Sequence, residues 1–438
     1  FYTLMAVGTL VFGESSYRNV VCLGHILDED GRKMSKHLGN ILAPMPLMDQ
    51  HGADALRWFM LAAGSPWQSR RVGHSAIADV VRKTLLTYWN TVSFQSLYAR
   101  TAGWQPSDSA PPIAERPVVD RWVLSEAHRL SRSVDAALEA FDTQTAGRLL
   151  SAFVDDLSNW YVRRSRRRFW DGDPAALATL HEALRIVTLC LAPFTPFITE
   201  RVWQDLFRPT DPDAPASVHL ASWPEADPAV IDAELGEQMA LVRRLVELGR
   251  AARATSGVST RQPLGQALVS GSGWATLPDD LRRQVAEELN VQSVHALGAE
   301  SGELVDVSVK ANFRALGQRF GKQTQEVAAA ITAADPSVLA TAVRSGTARV
   351  EAGSLGTVEL GIEDLIVTET PREGWAVATE SGESVALDLT IDDALRLAGV
   401  ARELVRTLQE GCKAAGFDVS DRILVGWASD DADVRGAL

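Results

Sequence analysis

The sequence predicts a multidomain chain in three successive parts: a short α/β segment, an α-helical bundle and an α+β domain. Three observations carry this. The chain has 438 residues, about three domains at roughly 150 residues each. Its 46% hydrophobic content is enough to give each domain a core. Its texture also changes twice, from short apolar runs mixed with glycine to helical periodicity near residue 75, and to glycine-rich, β-prone runs after about 257.

In the first part, residues 20–23 (VVCL), ahead of Gly24 and His25, read as a buried strand. Residues 53–63, with Leu56, Phe59 and Met60 at helical spacing, read as a helix. Between them a polar loop, Asp28 to Arg32, runs into Lys33, Met34, Ser35, Lys36 and His37. One strand, loop and helix make too little for a complete doubly wound sheet. The apolar residues of 1–60 are therefore expected to lack sheet neighbours and to stand exposed.

The second part is helical. Val123, Ala127, Leu130, Val134, Ala137, Leu138 and Phe141 keep a helical period, as do Leu150, Phe153, Val154, Leu157, Trp160 and Tyr161. Extended to the next turns, that second stripe passes through 164 and 168 and turns Arg163, Arg166 and Arg167 elsewhere. Residues 105–112 and 208–215, rich in proline, aspartate and serine, read as loops. Pro193 and Pro196 should break the helix that ends near Leu191. A further helix carries Leu235, Met239, Val242, Leu245 and Val246 on one face.

In the third part, strands are expected at 305–309, 357–360 and 365–367 and through the alternation of Val385, Leu387 and Leu389; helices are expected at 323–334 and 391–415. Cys412 falls with Leu404, Val405 and Leu408 on one helical face and reads as a core thiol.

Composition narrows the class. The three cysteines, Cys22, Cys190 and Cys412, are an odd number without a CxxC spacing, which argues for a reducing compartment and against a disulfide framework. No run of eighteen apolar residues and no signal-peptide pattern at the start are present, so the chain is expected to be cytoplasmic, with no membrane partner. It begins with Phe1 inside an apolar element and reads as a fragment of something longer. The net charge of −13 disfavours a polyanionic partner at first sight, yet the charge is unevenly placed. Residues 1–105 carry 10 Lys+Arg against 7 Asp+Glu, residues 106–222 carry 13 against 16, and residues 223–438 carry 20 against 33.

Two constellations carry chemistry. Lys33 and Lys36, three apart between Gly31 and Gly39, with the Ser35 hydroxyl between them, suit a mobile cationic loop that folds over a polyphosphate and offsets charge developing in a displacement. On these residues alone, a solvated basic surface loop is the plainer reading. Arg163, Arg164, Arg166, Arg167 and Arg168 place five guanidinium groups in six residues. Arginine grips phosphate through its planar fork and stacks on unpaired bases; pairing with nearby Asp155, Asp156, Asp171 and Asp173 is an equal reading of that cluster.

The segments GHILDEDGRKMSKHLGN (24–40) and HGADALRWFML (51–61) resemble the surroundings of the KMSKS signature in class I aminoacyl-tRNA synthetases of the isoleucyl, valyl, leucyl and methionyl subgroup. His37 stands where the signature ends in serine. The resemblance implies that Lys33, Ser35 and Lys36 are catalytic and that Met34 joins them in holding the ATP phosphates. It also implies an adenosine contact for Gly24 and His25, although a structural histidine is an equal reading of His25. NWYVRRSRRRFW (159–170) and LAPFTPFITERVW (191–203) resemble the helical anticodon-binding domain of the isoleucyl and valyl enzymes, which assigns tRNA to Arg163, Arg164, Arg166, Arg167 and Arg168.

ELNVQSV (288–294), VKANFRALGQRFGKQT (309–324) and ARELVRTLQEGCKAAGFDVSDRI (401–423) resemble the C-terminal region of isoleucyl-tRNA synthetases, in the branch that includes the eukaryotic cytosolic enzymes and lacks a C-terminal zinc site. The whole then reads as the C-terminal portion of such an enzyme: 1–74 the end of a Rossmann-like catalytic domain, 75–256 the anticodon-binding bundle, 257–438 an α+β domain. Implied partners are tRNA(Ile), isoleucine and ATP with Mg2+, with no metal bound by this chain and a monomeric state. The HIGH signature is absent from the 438 residues, so the chain alone is expected to activate no amino acid. Two other readings stay open: a non-catalytic tRNA-binding or assembly protein derived from a synthetase back half, and a sister valyl-tRNA synthetase.

Overall fold

The computed structural model describes residues 1–437 apart from 107–109, 298–304, 345 and 418–420. Part of the 105–112 loop and of the 401–423 motif thus lies outside the described residues. The chain divides into two compact units, Phe1–Gly236 and Glu237–Leu438.

In the first unit, helix α1 (Tyr2–Phe12) buries only Gly8. The strand expected at 20–23 does not form. Val20, Val21 and Leu23 are 45%, 51% and 63% exposed, and pairing begins later, where β1 (Ile26–Leu27) lies parallel to β2 (Arg70–Arg71). An apolar run becomes a strand only where a neighbour takes its backbone groups. Two residues on each side pair here, with one isolated antiparallel bridge between Leu27 and Lys33, and exposed apolar surface at Phe1, Tyr2, Leu10 and Phe12 accompanies this, as expected.

The small core below β1 is built by α2 (Pro44–His51), α3 (Ala53–Ala62) and α4 (His74–Val80), through Leu47, Ala55, Phe59, Val72 and Ile77. This segment does not stand apart from the helices that follow. Gly147 brings α7 (Thr143–Asp155) so close to α3 that an added Cβ would lie 2.2 Å from the Ala62 methyl. Asp54 and Arg57, one turn apart on α3, grip the turn at 193–198: Asp54 accepts the Ile198 N–H (2.7 Å), and Arg57 donates to the carbonyls of Pro193 (2.8 Å) and Phe194 (3.2 Å). Two of the motif segments therefore meet in space.

The bundle contains α5 (Leu86–Ala102), α6 (Val118–Glu139), α7, α8 (Arg163–Trp170), α9 (Pro174–Leu191) and α10 (Pro196–Val202). Its central helix is α9. Asp173 caps it by accepting the Ala175 N–H (2.8 Å), Pro174 opens it, and the chain turns at Pro193 and Pro196 as expected. Among the described residues α9 is the helix long and apolar enough to cross a membrane, and 78% of it is buried inside the bundle. The expected stripe on α6 holds through Val134, but Phe141 lies beyond the helix end with φ 58° and is exposed.

The second unit takes residues 237–256 of α11 (Ala233–Ser256), whose face of Met239, Val242, Leu245 and Val246 is buried. A four-stranded sheet runs in the order β4 (Val291–Ala296), β3 (Leu264–Ser270), β10 (Glu383–Asp388), β9 (Trp375–Glu380). β3 and β4 are parallel across α12 (Asp279–Leu289), and the other pairs are antiparallel. Two antiparallel pairs, β5 (Val305–Ala311) with β8 (Leu365–Pro371) and β6 (Ala348–Glu351) with β7 (Thr357–Leu360), enclose a second core. With α13 (Phe313–Phe320), α14 (Thr324–Ala333) and α15 (Pro336–Arg344) they bury Leu316, Val327, Ile331, Leu360 and Leu365. Helices α16 (Asp393–Ala414) and α17 (Ala432–Ala437) follow. The α+β character and the expected strands and helices are present, but β10 ends at Asp388, before Leu389, and buries Val385, Ala386 and Leu387 in succession where an alternation was expected. Cys412 is not a core thiol: it is only partly buried, and Val405 and Leu408 beside it are 52% and 41% exposed.

Candidate functional site

The turn after β1 is organised by Asp28. Its carboxylate accepts the Arg32 backbone N–H (2.7 Å) and the Arg32 Nε–H (3.0 Å), while its carbonyl accepts the Gly31 N–H (3.0 Å). Gly31 has φ 83°, and a Cβ there would stand 2.9 Å from the Arg71 guanidinium, so glycine fits this corner twice over. Across the loop, the Asn40 amide donates to Asp28 Oδ2 (2.8 Å) and the Lys33 carbonyl (3.3 Å) and accepts the Ser35 N–H (2.9 Å). Asn40 thereby fastens the far end of the loop to its start. The Asn40 hydrogen bond, with those of Arg32, holds the Asp28 carboxyl at about 2, well below its ordinary value.

Between these anchors, Met34 packs onto the core of α2, α3 and α4, while Lys33, Lys36 and His37 are exposed. The Ser35 Oγ accepts the Leu38 N–H (3.2 Å) and keeps its own O–H to give. The loop is thus fixed at its base and through Met34, with two exposed ammonium groups and one half-buried hydroxyl between them. No ion pair holds either ammonium among the described residues. That arrangement suits a polyanion with several oxygens. Gly24 has a local structural reason as well: its N–H donates to the Pro66 carbonyl (2.8 Å), and a Cβ would collide with the Gln68 backbone at 2.1 Å. His25 is exposed, and its carbonyl accepts the Arg70 N–H (2.9 Å).

The arginine cluster sits at the end of one long helical run, α7, a π-helical stretch Asp156–Val162, and α8. The π turn inserts one residue into the helical count. The buried stripe consequently continues through Ser165 (2% exposed) and Phe169 (1%) rather than through 164 and 168. Arg163, Arg166 and Arg167 are exposed, as expected, with Arg167 at the limit of an ion pair to Asp171 (4.0 Å). The guanidinium groups of Arg163 and Arg164 lie 5.9 and 5.8 Å from the Trp160 ring centre, within cation–π range.

Arg168 departs from the expected set. It forms a two-pronged ion pair with Asp120 (2.5 and 2.8 Å) and a further bond to Asp173 (2.7 Å). Asp120 is wholly buried, so Arg168 is held in the bundle as the counter-charge of Asp120, and the assignment of tRNA to this residue is corrected. Asp120 lies 48 residues away in sequence, beyond the reach of local spacing. Asn40 was also missed as a functional residue; its signal is a polar amide directly after Gly39, which has φ 65°.

Residues 1–71 match the family "tRNA synthetases class I (I, L, M and V)", and residues 120–268 match the family "Anticodon-binding domain of tRNA ligase". Over all 438 residues the chain is 66% identical to a protein of Streptomyces avermitilis and 65% identical to one of Streptomyces coelicolor, each named isoleucine–tRNA ligase; in both, the match covers 42% of the relative. A Thermus thermophilus protein of the same name is 42% identical over 98% of this chain and 42% of its own length. The chain therefore spans less than half the length of the curated relatives it matches.

Proposed function

We propose that this chain is the C-terminal portion of an isoleucine–tRNA ligase, supplying the loop that holds the ATP phosphates and the helical surface that holds tRNA(Ile). The observation that carries the reading is the anchored loop: Asp28 and Asn40 fix its ends and Met34 its middle, leaving Lys33 and Lys36 exposed with the half-buried Ser35 between them. On this reading the complete enzyme joins isoleucine to ATP, forming isoleucyl-AMP and releasing pyrophosphate, and then passes the acyl group to the terminal adenosine of tRNA. Lys33 and Lys36 offset the charge that grows on the phosphates as the carboxylate attacks, and the Ser35 hydroxyl donates to one of their oxygens. ATP enters as substrate with Mg2+ as its counter-ion.

Arg163, Arg166 and Arg167, with Arg164 beside Trp160, form the phosphate-facing side of the bundle. The segments 1–74, 75–256 and 257–438 act as the end of the catalytic domain, the anticodon-binding domain and the C-terminal domain. The resemblance of 288–294, 309–324 and 401–423, and the single Cys412 in the last of these, support the branch without a C-terminal zinc site that includes the eukaryotic cytosolic enzymes. A monomeric, cytoplasmic protein completes the proposal, the latter supported by three cysteines outside any disulfide. Titrating the chain with tRNA bearing the isoleucine anticodon, and with the same tRNA carrying an exchanged anticodon, tests it. Tighter binding of the first supports the reading, and absence of binding to either overturns it.

A further inference from the structure

On the β5–β8 ribbon, residues alternate between core and solvent. Ala311 and Leu365, a register pair, are 9% and 5% exposed and belong to the second core described above; the next pair, Lys310 and Ile366, faces out, with Ile366 50% exposed. The chain then turns into α13. Asn312 caps that helix and ties it back to β8, its N–H donating to the Asp364 carbonyl (2.9 Å) and its amide to the Glu363 carbonyl (2.8 Å). This joint brings the start of α13, where Phe313 is 59% exposed, against residues 362–364, with Ile362 55% exposed. Arg314 and Lys310 are exposed on the same joint, and among the described residues neither is held in an ion pair. Arg319, by contrast, is committed to the buried Asp364 and to the Glu359 carbonyl. An exposed aromatic ring, two exposed isoleucines, two cations and the exposed Glu363 thus share this joint, locally net positive in a region whose overall charge is acidic, with 20 Lys+Arg against 33 Asp+Glu over 223–438.

Resting on the reading of the chain as a tRNA-binding protein, we infer that Phe313, with Lys310 and Arg314, is a site for an unpaired stretch of RNA, a base stacking on the Phe313 ring and the flanking phosphates meeting the two cations. Stacking on an exposed aromatic ring is available to any base once it leaves a duplex, and neighbouring cations supply the backbone contacts. An isolated surface phenylalanine needs no cation; the exposed ring with two cations against one carboxylate on the same joint is what selects nucleic acid, by charge complementarity.

The test uses the whole 438-residue chain and equilibrium binding of a labelled single-stranded oligoribonucleotide, its duplex form, an acidic peptide, and a tRNA transcript. Phe313→Ala is expected to weaken single-strand binding about tenfold or more and to leave duplex binding unchanged, with Phe313→Tyr restoring it. Lys310→Glu with Arg314→Glu is expected to weaken binding and flatten its salt dependence. Single-strand binding unaltered by Phe313→Ala overturns the inference, as does a chain that binds the acidic peptide at Phe313 while ignoring RNA. The tRNA arm reports separately: a chain that fails to bind tRNA at all overturns the proposed function, whereas tight tRNA binding with no effect of Phe313→Ala on either RNA overturns only this site.

Discussion

Arg168 and Asp120 form a two-pronged ion pair, Nη1 to Oδ1 at 2.5 Å and Nη2 to Oδ2 at 2.8 Å, with the aspartate completely buried at the first turn of α6. A carboxylate in that position is tolerable only with its counter-charge present. Asp120→Ala and Arg168→Ala should therefore each lower the unfolding free energy by about 3–5 kcal/mol. The double substitution Asp120→Leu with Arg168→Met should recover much of that loss, because no charge is left buried alone. Urea denaturation of the three variants checks both statements, and equal destabilisation by all three would count against them.

The anchored loop makes a second prediction. Asn40→Ala or Asp28→Asn should release the 28–40 segment without unfolding the core beneath Met34, and raise the rate of tryptic cleavage at Arg32, Lys33 and Lys36 several-fold. The carboxyl of Asp28 is held at about 2 against an ordinary 3.8. Its contribution is fully present above pH 3.8 and is lost as the pH falls through 2, so loop order should be constant across neutral pH. A cleavage or mobility transition of the loop between pH 5 and 8 would contradict this.

His181 supplies a pH dependence that mildly acidic buffers will show. It is packed edge-on against Trp104 and Phe207, and burial, with some help from Arg185, pulls its pKa down to about 4 from 6.5. The neutral ring's contribution is whole above pH 6.5 and is lost as the pH falls through 4, an effect on the order of 3 kcal/mol. Thermal melts of the first unit between pH 7 and 4 should show this loss, and His181→Phe should flatten it. An unchanged pH profile in the variant would assign the acid sensitivity elsewhere.

The 438 residues hold the KMSK loop without a HIGH signature. A class I site needs both around one ATP, so this polypeptide by itself should give no isoleucine-dependent pyrophosphate exchange. A clear exchange signal from the purified chain would refute the division of labour proposed for it.

Much of this was legible in the sequence wherever a local period decides structure. The stripe of α6 as far as Val134, the stripe of α7, the proline breaks at 193 and 196, the strands at 357–360 and 365–367 and the helix at 324–333 follow from spacing alone. What spacing missed has specific causes. The run at 20–23 has the composition of a strand, yet strand formation depends on a neighbour, which composition does not report. The stripe beyond Tyr161 slipped by one position because the π turn adds a residue that a 3.6-residue count does not include. Arg168 looked like its neighbours until Asp120 was found opposite it. In the loop, the lysines and Ser35 were recognisable from their signature, whereas Asn40, which fastens them, acts through contacts five to twelve residues away.

The central claim is that the exposed arginines of α8 hold RNA phosphate. Its most direct test is the salt dependence of binding to tRNA bearing the isoleucine anticodon, measured for the native chain and for Arg163→Glu, Arg166→Glu and Arg167→Glu combined. Binding should weaken, and the slope of log K against log salt should fall in magnitude by about 2–3, the loss expected when three phosphate contacts disappear. Unchanged affinity and slope would show that the three arginines are a solvated face of the bundle and not a grip on RNA.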